Sequence, residues 1–341
     1  MKTLVTGATG FLGSHVARQL SERGESVRVL ARASSDTRAL EGFRSERVTG
    51  DLRDAASLDR ALEGVTHVYH VAADYRLWAR DPREIYESNV SGTQNLLDAA
   101  RRAGVEKFVY TSTVATIAVP RDGDLPSERT ESSVDEMIGH YKRSKFQAEQ
   151  SALRAAESGL PVVIVNPTTP VGPGDWKPTP TGKIILDFLK GRMPGYVDTG
   201  LNFVPVEDCA RGHLLAAERG RTGERYILGG SNLTLKQLLD MLAAVSGRSA
   251  PRWKFPHALA YVAGCVDMAV SKALGREPRI PLDGVRMARH KMFVDSSKAG
   301  RELGFTSGPL EAALERAVAW YESNGYIADK GAHAVARAHA A

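Results

Sequence analysis

Apolar and polar positions change period along this chain, and the alternation of the two periods predicts its architecture. Residues 2–6 form a short apolar run of strand length. A glycine-rich turn follows, and then a helical run over 14–23. Strand-length runs recur at 26–31, 47–50, 66–71, 107–110 and 161–165. Helical stretches fall between them: one starting near Asp54, one over about 82–103 with Pro at its first position, and one carrying Tyr141 and Lys145. A polar loop over 121–133 leads into that last helix. Strand and helix alternate throughout this half, which predicts an α/β fold built on a doubly wound parallel sheet.

The texture changes after residue 170. Pro and Gly become dense over 171–200, as expected of long loops over a pocket, with a helix near 183–189. Beyond lie a strand at 203–206, a helix at 207–219 and a strand at 226–228. In 234–245, Leu235, Leu238, Leu239, Leu242 and Val245 share one helical face, and Thr234 suits the cap. Residues 255–270 are apolar apart from Asp267. They suit a core helix, a substrate lid or a membrane-surface segment, with core or lid preferred. A basic run at 286–291, a helix starting near Asp295 and a last helix over 310–321 complete the pattern. The Ala-rich tail 328–341, with His333 and His339 in no ligand spacing, reads as frayed. The expected division is a dinucleotide-binding domain over 1–168 with about 201–222. A smaller mixed C-terminal substrate domain takes 169–200 and 223–325.

Composition narrows the function classes. With 341 residues, 43% hydrophobic and 25% charged, the chain can bury a large core. Its net charge of +5 is scattered and gives no reason to expect nucleic-acid binding. Cys209 and Cys265 stand in no metal or redox spacing, so reduced, buried thiols and a cytoplasmic location are expected. No apolar window reaches membrane-spanning length, and no metal constellation is visible.

The candidate chemistry sits at strand ends. Gly7, Gly10 and Gly13, with Thr9 between them, stand at a strand-to-helix turn. They allow a tight turn, close approach of a pyrophosphate and helix-on-strand packing, with the phosphates on the helix N-terminus. Arg32 ends the second strand, where an acidic residue would hold ribose hydroxyls and a basic one suits a 2′-phosphate, so NADP(H) is favoured over NAD(H). Asp36, four positions on, is the competing acid. Asp51 follows the third strand and could accept from an adenine amino group or cap the next helix. Ala72 and Ala73 leave room for a cofactor beyond the fourth strand, while Asn89 suits a buried polar bridge to a neighbouring strand or a capping role, with a structural role preferred. Thr111, Ser112 and Thr113 end the fifth strand, where a hydroxyl can stabilise charge developing on a substrate oxygen. Tyr141 and Lys145 share a helical face, and a nearby ammonium favours the phenolate and lowers its pKa.

With these motifs placed in order, residues 2–325 resemble an extended short-chain dehydrogenase/reductase of the NAD-dependent epimerase/dehydratase type, built on a Rossmann sheet. More narrowly, they are similar to dihydroflavonol 4-reductase-like proteins and hopanoid-associated sugar epimerases. The stretches 70–80 (HVAADYRLWAR), 139–146 (GHYKRSKF), 165–170 (VNPTTP) and 226–230 (YILGG) carry that likeness. The resemblance implies that Tyr141 is the general acid/base and that Lys145 holds the nicotinamide ribose and depresses the Tyr141 pKa. Thr113 takes the catalytic hydroxyl position, a departure from the commoner Ser. The glycines, Thr9, Phe11 and Leu12 would hold the pyrophosphate, Asp51 and Leu52 the adenine, and Ala72 and Ala73 the phosphate side. Pro167 would meet the nicotinamide, with Thr111 among the cofactor contacts.

Dehydratases of this fold carry Asp-Glu after the catalytic Thr; Val114 and Ala115 stand here instead and argue against dehydration. The leading expectation is NADP(H)-dependent hydride transfer to or from a hydroxylated small molecule, sugar-like or a lipid-linked polyol, in hopanoid metabolism. The alternatives are a nucleotide-sugar or hopanoid-linked sugar epimerase with retained NAD(P), and a non-catalytic NAD(P)-sensing protein. The intact Thr113, Tyr141 and Lys145 set speaks against the last. Tyr75, Arg76, Trp78 and Arg80 are nominated for the substrate, and residues 255–270 for a lipid or peripheral membrane contact. The resemblance also implies a homodimer through the helices near Pro82 and His140.

Overall fold

A computed structural model describes residues 1–118 and 125–327. The tail 328–341 and part of the 121–133 loop therefore lie outside the described residues.

Seven parallel strands form the main sheet: β1 (Lys2–Thr6), β2 (Ser26–Ala31), β3 (Glu46–Thr49), β4 (His67–His70), β5 (Lys107–Thr111), β6 (Val162–Pro167) and a last one at Arg225–Leu228. Between β6 and that last strand come β7 (Thr169–Val171), β8 (Gly195–Val197) and β9 (Gly200–Pro205), which makes Arg225–Leu228 β10. The spatial order is β10-β6-β5-β4-β1-β2-β3, so the winding reverses between β1 and β4. Outside the carboxyl ends of the strands at that reversal lies the crevice where such folds bind ligands.

The strands are apolar because both faces are covered. On one face Val5, Val29, Val109 and Val165 pack against α1 (Phe11–Glu22), through Val16 and Leu20. On the other, Leu4, Val68, Phe108 and Ile164 pack against α2 (Ala55–Leu62), through Leu58. The expected 82–103 helix is there, but it is divided into α3 (Arg83–Tyr86), a π turn (Glu87–Ser91) and α4 (Gly92–Arg102). The wider turn carries Asn89 into the core. Next in sequence come α5 (Gly139–Glu157), α6 (Pro180–Leu189) and α7 (Val206–Arg219), with α7 lying beside α1.

The second unit holds a sheet of β9 between β11 (Ser231–Thr234) and β13 (Lys291–Met292), with β7 also on β9. A ribbon pairs β8 with β12 (Trp253–Phe255). Its core joins α6, α8 (Leu235–Ser246) and α12 (Leu310–Ser323), through Leu186, Leu239 and Leu314. Thr234 caps α8 as expected, in a reciprocal box with Gln237. The remaining helices are α9 (His257–Ala273), α10 (Leu282–Met287) and α11 (Ser297–Leu303).

Two expectations need correction. The anticipated boundary grouped 201–222 with the main sheet and everything from 223 with the second unit. β9 is instead the centre of the second sheet, and β10 is the edge strand of the first, in register with β6 from Arg225↔Ile164 to Leu228↔Pro167. The cause is topological: α7 is the crossover that returns the chain to the main sheet, and a parallel strand follows it. The core half of the preferred core-or-lid reading of 255–270 also fails, and with it the buried thiol expected at Cys265, because α9 buries only Gly264 and Ser271.

Candidate active site

The crevice is shaped first by glycine. Gly7 has a φ of +75°, and a Cβ on it would stand 2.5 Å from the Ala72 nitrogen. A Cβ on Gly13 would stand 2.2 Å from the Gly7 carbonyl oxygen. No side chain fits at either position. The Gly10 N–H donates to the Gly7 carbonyl at 2.9 Å, and no side chain caps α1. The first-turn N–H groups of α1 are thus left for an anion, as a dinucleotide pyrophosphate requires. Thr9, Phe11 and Leu12 are half-buried around this turn.

The wall between β1 and β4 is held by a neutral imidazole. His70 Nδ1 lies 2.7 Å from Thr6 Oγ1, and its Nε2 lies 3.0 Å from Thr93 Oγ1. Burial pushes the His70 pKa down to about 3. Thr6 Oγ1 also accepts the Ala72 N–H at 3.3 Å, which fixes the strand end against Gly7. Ala73 is half-buried beside it. Asn89 bridges as expected: it accepts from the Asp74 N–H at 2.7 Å and donates to Ser144 Oγ at 2.9 Å, which ties the β4 exit to α5.

Across the crevice, β5 and α5 bring the hydroxyl, phenol and ammonium together. Tyr141 and Thr113 meet here, near enough for the Thr113 hydroxyl to favour the phenolate. Lys145 is 2% exposed, and its Nζ donates to Tyr110 Oη at 2.9 Å and to the Thr111 carbonyl at 2.7 Å. Burial pulls the Lys145 pKa down to about 7. The expected depression of the Tyr141 pKa is not found. Burial raises it, against a smaller lowering by the Thr113 hydroxyl. The reason is placement: the ammonium is engaged on Tyr110 and β5, not on the phenol. The Thr111 hydroxyl faces away from the Lys contact and pairs with His213 Nε2 of α7 at 3.1 Å. Burial holds His213 near 4. Pro167 is buried at the end of β6.

Behind Thr113 lies a polar network that sequence reasoning missed. Asn166 Nδ2 donates to the Thr113 carbonyl at 3.1 Å and to Glu149 Oε2 at 2.8 Å. Glu149, wholly buried, also accepts from Thr116 Oγ1 at 3.0 Å and pairs with Arg225 at 3.3 Å. One signal was available: Glu149 follows Lys145 by one helical turn on the same face. Nothing local marks Arg225, which arrives from the edge strand.

The cofactor-side charges sort themselves. Asp36 is taken by Arg38, whose Nε lies 2.9 Å from Oδ2 and whose guanidinium stacks over Trp176 at 4.6 Å. Asp51 accepts from the Arg53 N–H at 2.9 Å and from its guanidinium at 2.8 Å, which brings its pKa to about 2. The helix cap is Asp54 and not Asp51. Leu52 packs against Gly92 of α4. Arg32 is exposed at the end of β2 and has no ion pair among the described residues.

Of the substrate nominees, Arg76 is committed within the chain, to Asp74 at 2.6 Å and Glu84 at 2.9 Å, which removes it as a free anion holder. Tyr75 donates to the Lys177 carbonyl at 3.4 Å, Trp78 is half-buried and Arg80 is exposed.

Comparison with known proteins finds relatives that share this fold. The model of the NAD dependent epimerase/dehydratase family matches residues 3–229. A putative dihydroflavonol 4-reductase of Synechocystis is 47% identical over 327 residues, covering 95% of each chain. Sterol demethylase protein B of Methylococcus capsulatus is 39% identical over 329 residues, 96% of this chain and all of that one. The crystal structure of a nucleoside-diphosphate-sugar epimerase from Pseudomonas aeruginosa superposes with a TM-score of 0.80 at 31% identity, covering 96% of this chain and 99% of that one.

Proposed function

The chain belongs to the NAD dependent epimerase/dehydratase family of extended short-chain dehydrogenase/reductase enzymes, and from that premise we propose that it is an NADP(H)-dependent reductase of a carbonyl on a hydroxylated substrate. The observation that carries this reading is the meeting of Tyr141 and the Thr113 hydroxyl at the strand edge that also holds the buried Lys145. The glycine cradle, which a Cβ at Gly7 or Gly13 would fill, fits a dinucleotide. When bound, the nicotinamide supplies or accepts the hydride. Thr113 orients the substrate oxygen and Tyr141 gives or takes its proton. Lys145, anchored on Tyr110 Oη and the Thr111 carbonyl, holds the ribose side. Preference for NADP(H) rests on Arg32, which is unpaired while Asp36 and Asp51 are both neutralised by neighbouring arginines.

The substrate class draws on the relatives. One bears a sterol in its name and another dihydroflavonol, so we read the substrate as a hydroxylated polycyclic or lipid-linked ketone, hopanoids among them, and not a free sugar. Tyr75, Trp78 and Arg80 are its proposed contacts. A homodimer through α3 and α5 belongs to the same reading and is tested by sedimentation. A second reading, epimerisation with retained cofactor, is favoured by the family model and the solved epimerase.

Nicotinamide absorbance separates the two. Net consumption of NADPH with a candidate ketone means reductase; isomer formation with no net consumption means epimerase. Arg32→Asp is expected to reverse the preference between NADPH and NADH in a binding titration; unchanged affinities for both would end the NADP(H) assignment.

A further inference from the structure

The helix α9 is inside out. Its buried positions are Gly264 and Ser271, and Asp267 is turned inward, where it accepts from the Ile280 N–H at 2.8 Å and from Arg276 at 2.8 Å. Apart from Lys272, every exposed position of α9 is apolar. Trp253 on the preceding β12 is 74% exposed; on α9 itself Leu259, Val262 and Val266 are 54%, 58% and 58% exposed, and Val270 and Leu274 continue the row. Recurrence at i, i+3, i+4 and i+7 puts these side chains on one stripe along a helix of 17 residues, about 25 Å long. Exposed apolar patches of this extent mark interaction surfaces. No helix among the described residues is long and apolar enough to cross a membrane, so α9 is a surface element.

Charge says what the stripe meets. Residues 248–291 hold nine Lys and Arg against three Asp and Glu, while the rest of the chain holds 36 against 37. The charge that looks scattered along the sequence thus leaves a basic excess on the segment that carries the apolar face, although Lys254 and Lys291 share Asp198. Arg252, Lys272 and Arg279 are exposed and carry no ion pair among the described residues. A second copy of the chain would bring two such basic segments together, which like charge opposes. An anionic lipid surface satisfies both features at once: acyl chains for the stripe, phosphates for the cations.

We infer that α9 and its basic surround dock the protein on anionic phospholipid bilayers, with the helix lying in the headgroup plane and Trp253 at the interface. This goes beyond the redox reading and does not depend on it. The platform also touches the active-site helix. A Cβ on Gly139, the first residue of α5, would stand 2.5 Å from Asp283 of α10, and α10 underlies α9. A bilayer bound there lies next to the element carrying Tyr141.

The test is flotation of the full chain with vesicles of phosphatidylcholine containing one quarter phosphatidylglycerol, against pure phosphatidylcholine. The wild type is expected to float with the anionic vesicles. The doubly substituted Val262→Glu/Val266→Glu chain should lose about ten-fold or more in bound fraction with NADPH affinity unchanged. Arg252→Ala/Arg279→Ala, which leaves the helix intact, should lose about five-fold or more, as should the wild type in high salt. It decides the matter should the first variant fail to fold. A wild type that stays in the soluble fraction overturns the inference. So does a basic-residue variant that floats undiminished, or a wild-type dimer that the glutamates dissolve without any vesicle binding.

Discussion

α5 and α9 are both long helices, and both break the rule that a helix shows polar residues to water and apolar ones to the core. α5 breaks it inward. Ser144, Lys145 and Glu149 are buried, and each is matched: Ser144 by Asn89, Lys145 by Tyr110 and the Thr111 carbonyl, Glu149 by Thr116, Asn166 and Arg225. α9 breaks it outward, with Leu259, Val262, Val266 and Val270 between 42% and 58% exposed. Buried polar groups are costly unless paired, so the α5 exceptions are tolerated only as a network that fixes geometry. Exposed apolar groups cost little in the folded monomer, so the α9 exceptions leave the fold untouched and matter only when something binds. The lesson is that an inverted inner face points to chemistry and an inverted outer face to association.

Substitutions can break that comparison, starting where the effect is largest. Tyr141→Phe removes the phenolic proton, and turnover should fall by about 10²–10⁴-fold while NADPH titration stays near wild type. Retention of full activity would remove Tyr141 from the chemistry. Glu149→Ala leaves Arg225 and Asn166 facing an empty buried site, and denaturant melts should show a loss of about 3–5 kcal/mol. A loss below about 1 kcal/mol would mean the network is not what holds the Thr113 end of β5.

Acid should act through the buried imidazoles. His70 and His213 stay neutral in the fold down to about 3 and about 4, while the unfolded chain takes up their protons near pH 6.5. Protons thus favour the unfolded state, and melting temperature should fall as pH drops from about 6.5 towards 4. Asp175 opposes this. Burial raises its pKa to about 6, so the fold gains its proton first and is favoured by acid between about 6 and 4. Two histidines outweigh one carboxyl, and His213→Gln should flatten the slope. An unchanged slope would count against a neutral His213. The smallest effect belongs to α9, where Val266→Ala should shift stability by no more than about 0.5 kcal/mol. A larger cost would show that the stripe is packed against something in the free protein.

The sequence by itself determined the elements whose signal is local. Strand-length apolar runs, Gly7 and Gly13 at a turn that admits no Cβ, the Thr234 cap and the Tyr141–Lys145 spacing are all properties of neighbouring residues, and neighbours in sequence stay neighbours in space. It also placed Asn89 correctly, because a polar residue on an apolar helical face has few other destinations. Tertiary structure alone decided what depends on meetings across the chain. β10 joined the first sheet because α7 carries the chain back to it, and Arg225 thereby reached Glu149. Lys145 turned to Tyr110 and not to the phenol one turn away, Arg76 was captured by Asp74 and Glu84, and the apolar run at 255–270 faced solvent. A hydrophobic pattern fixes which residues share a face; which way that face turns is set by surfaces that arrive from elsewhere in the chain.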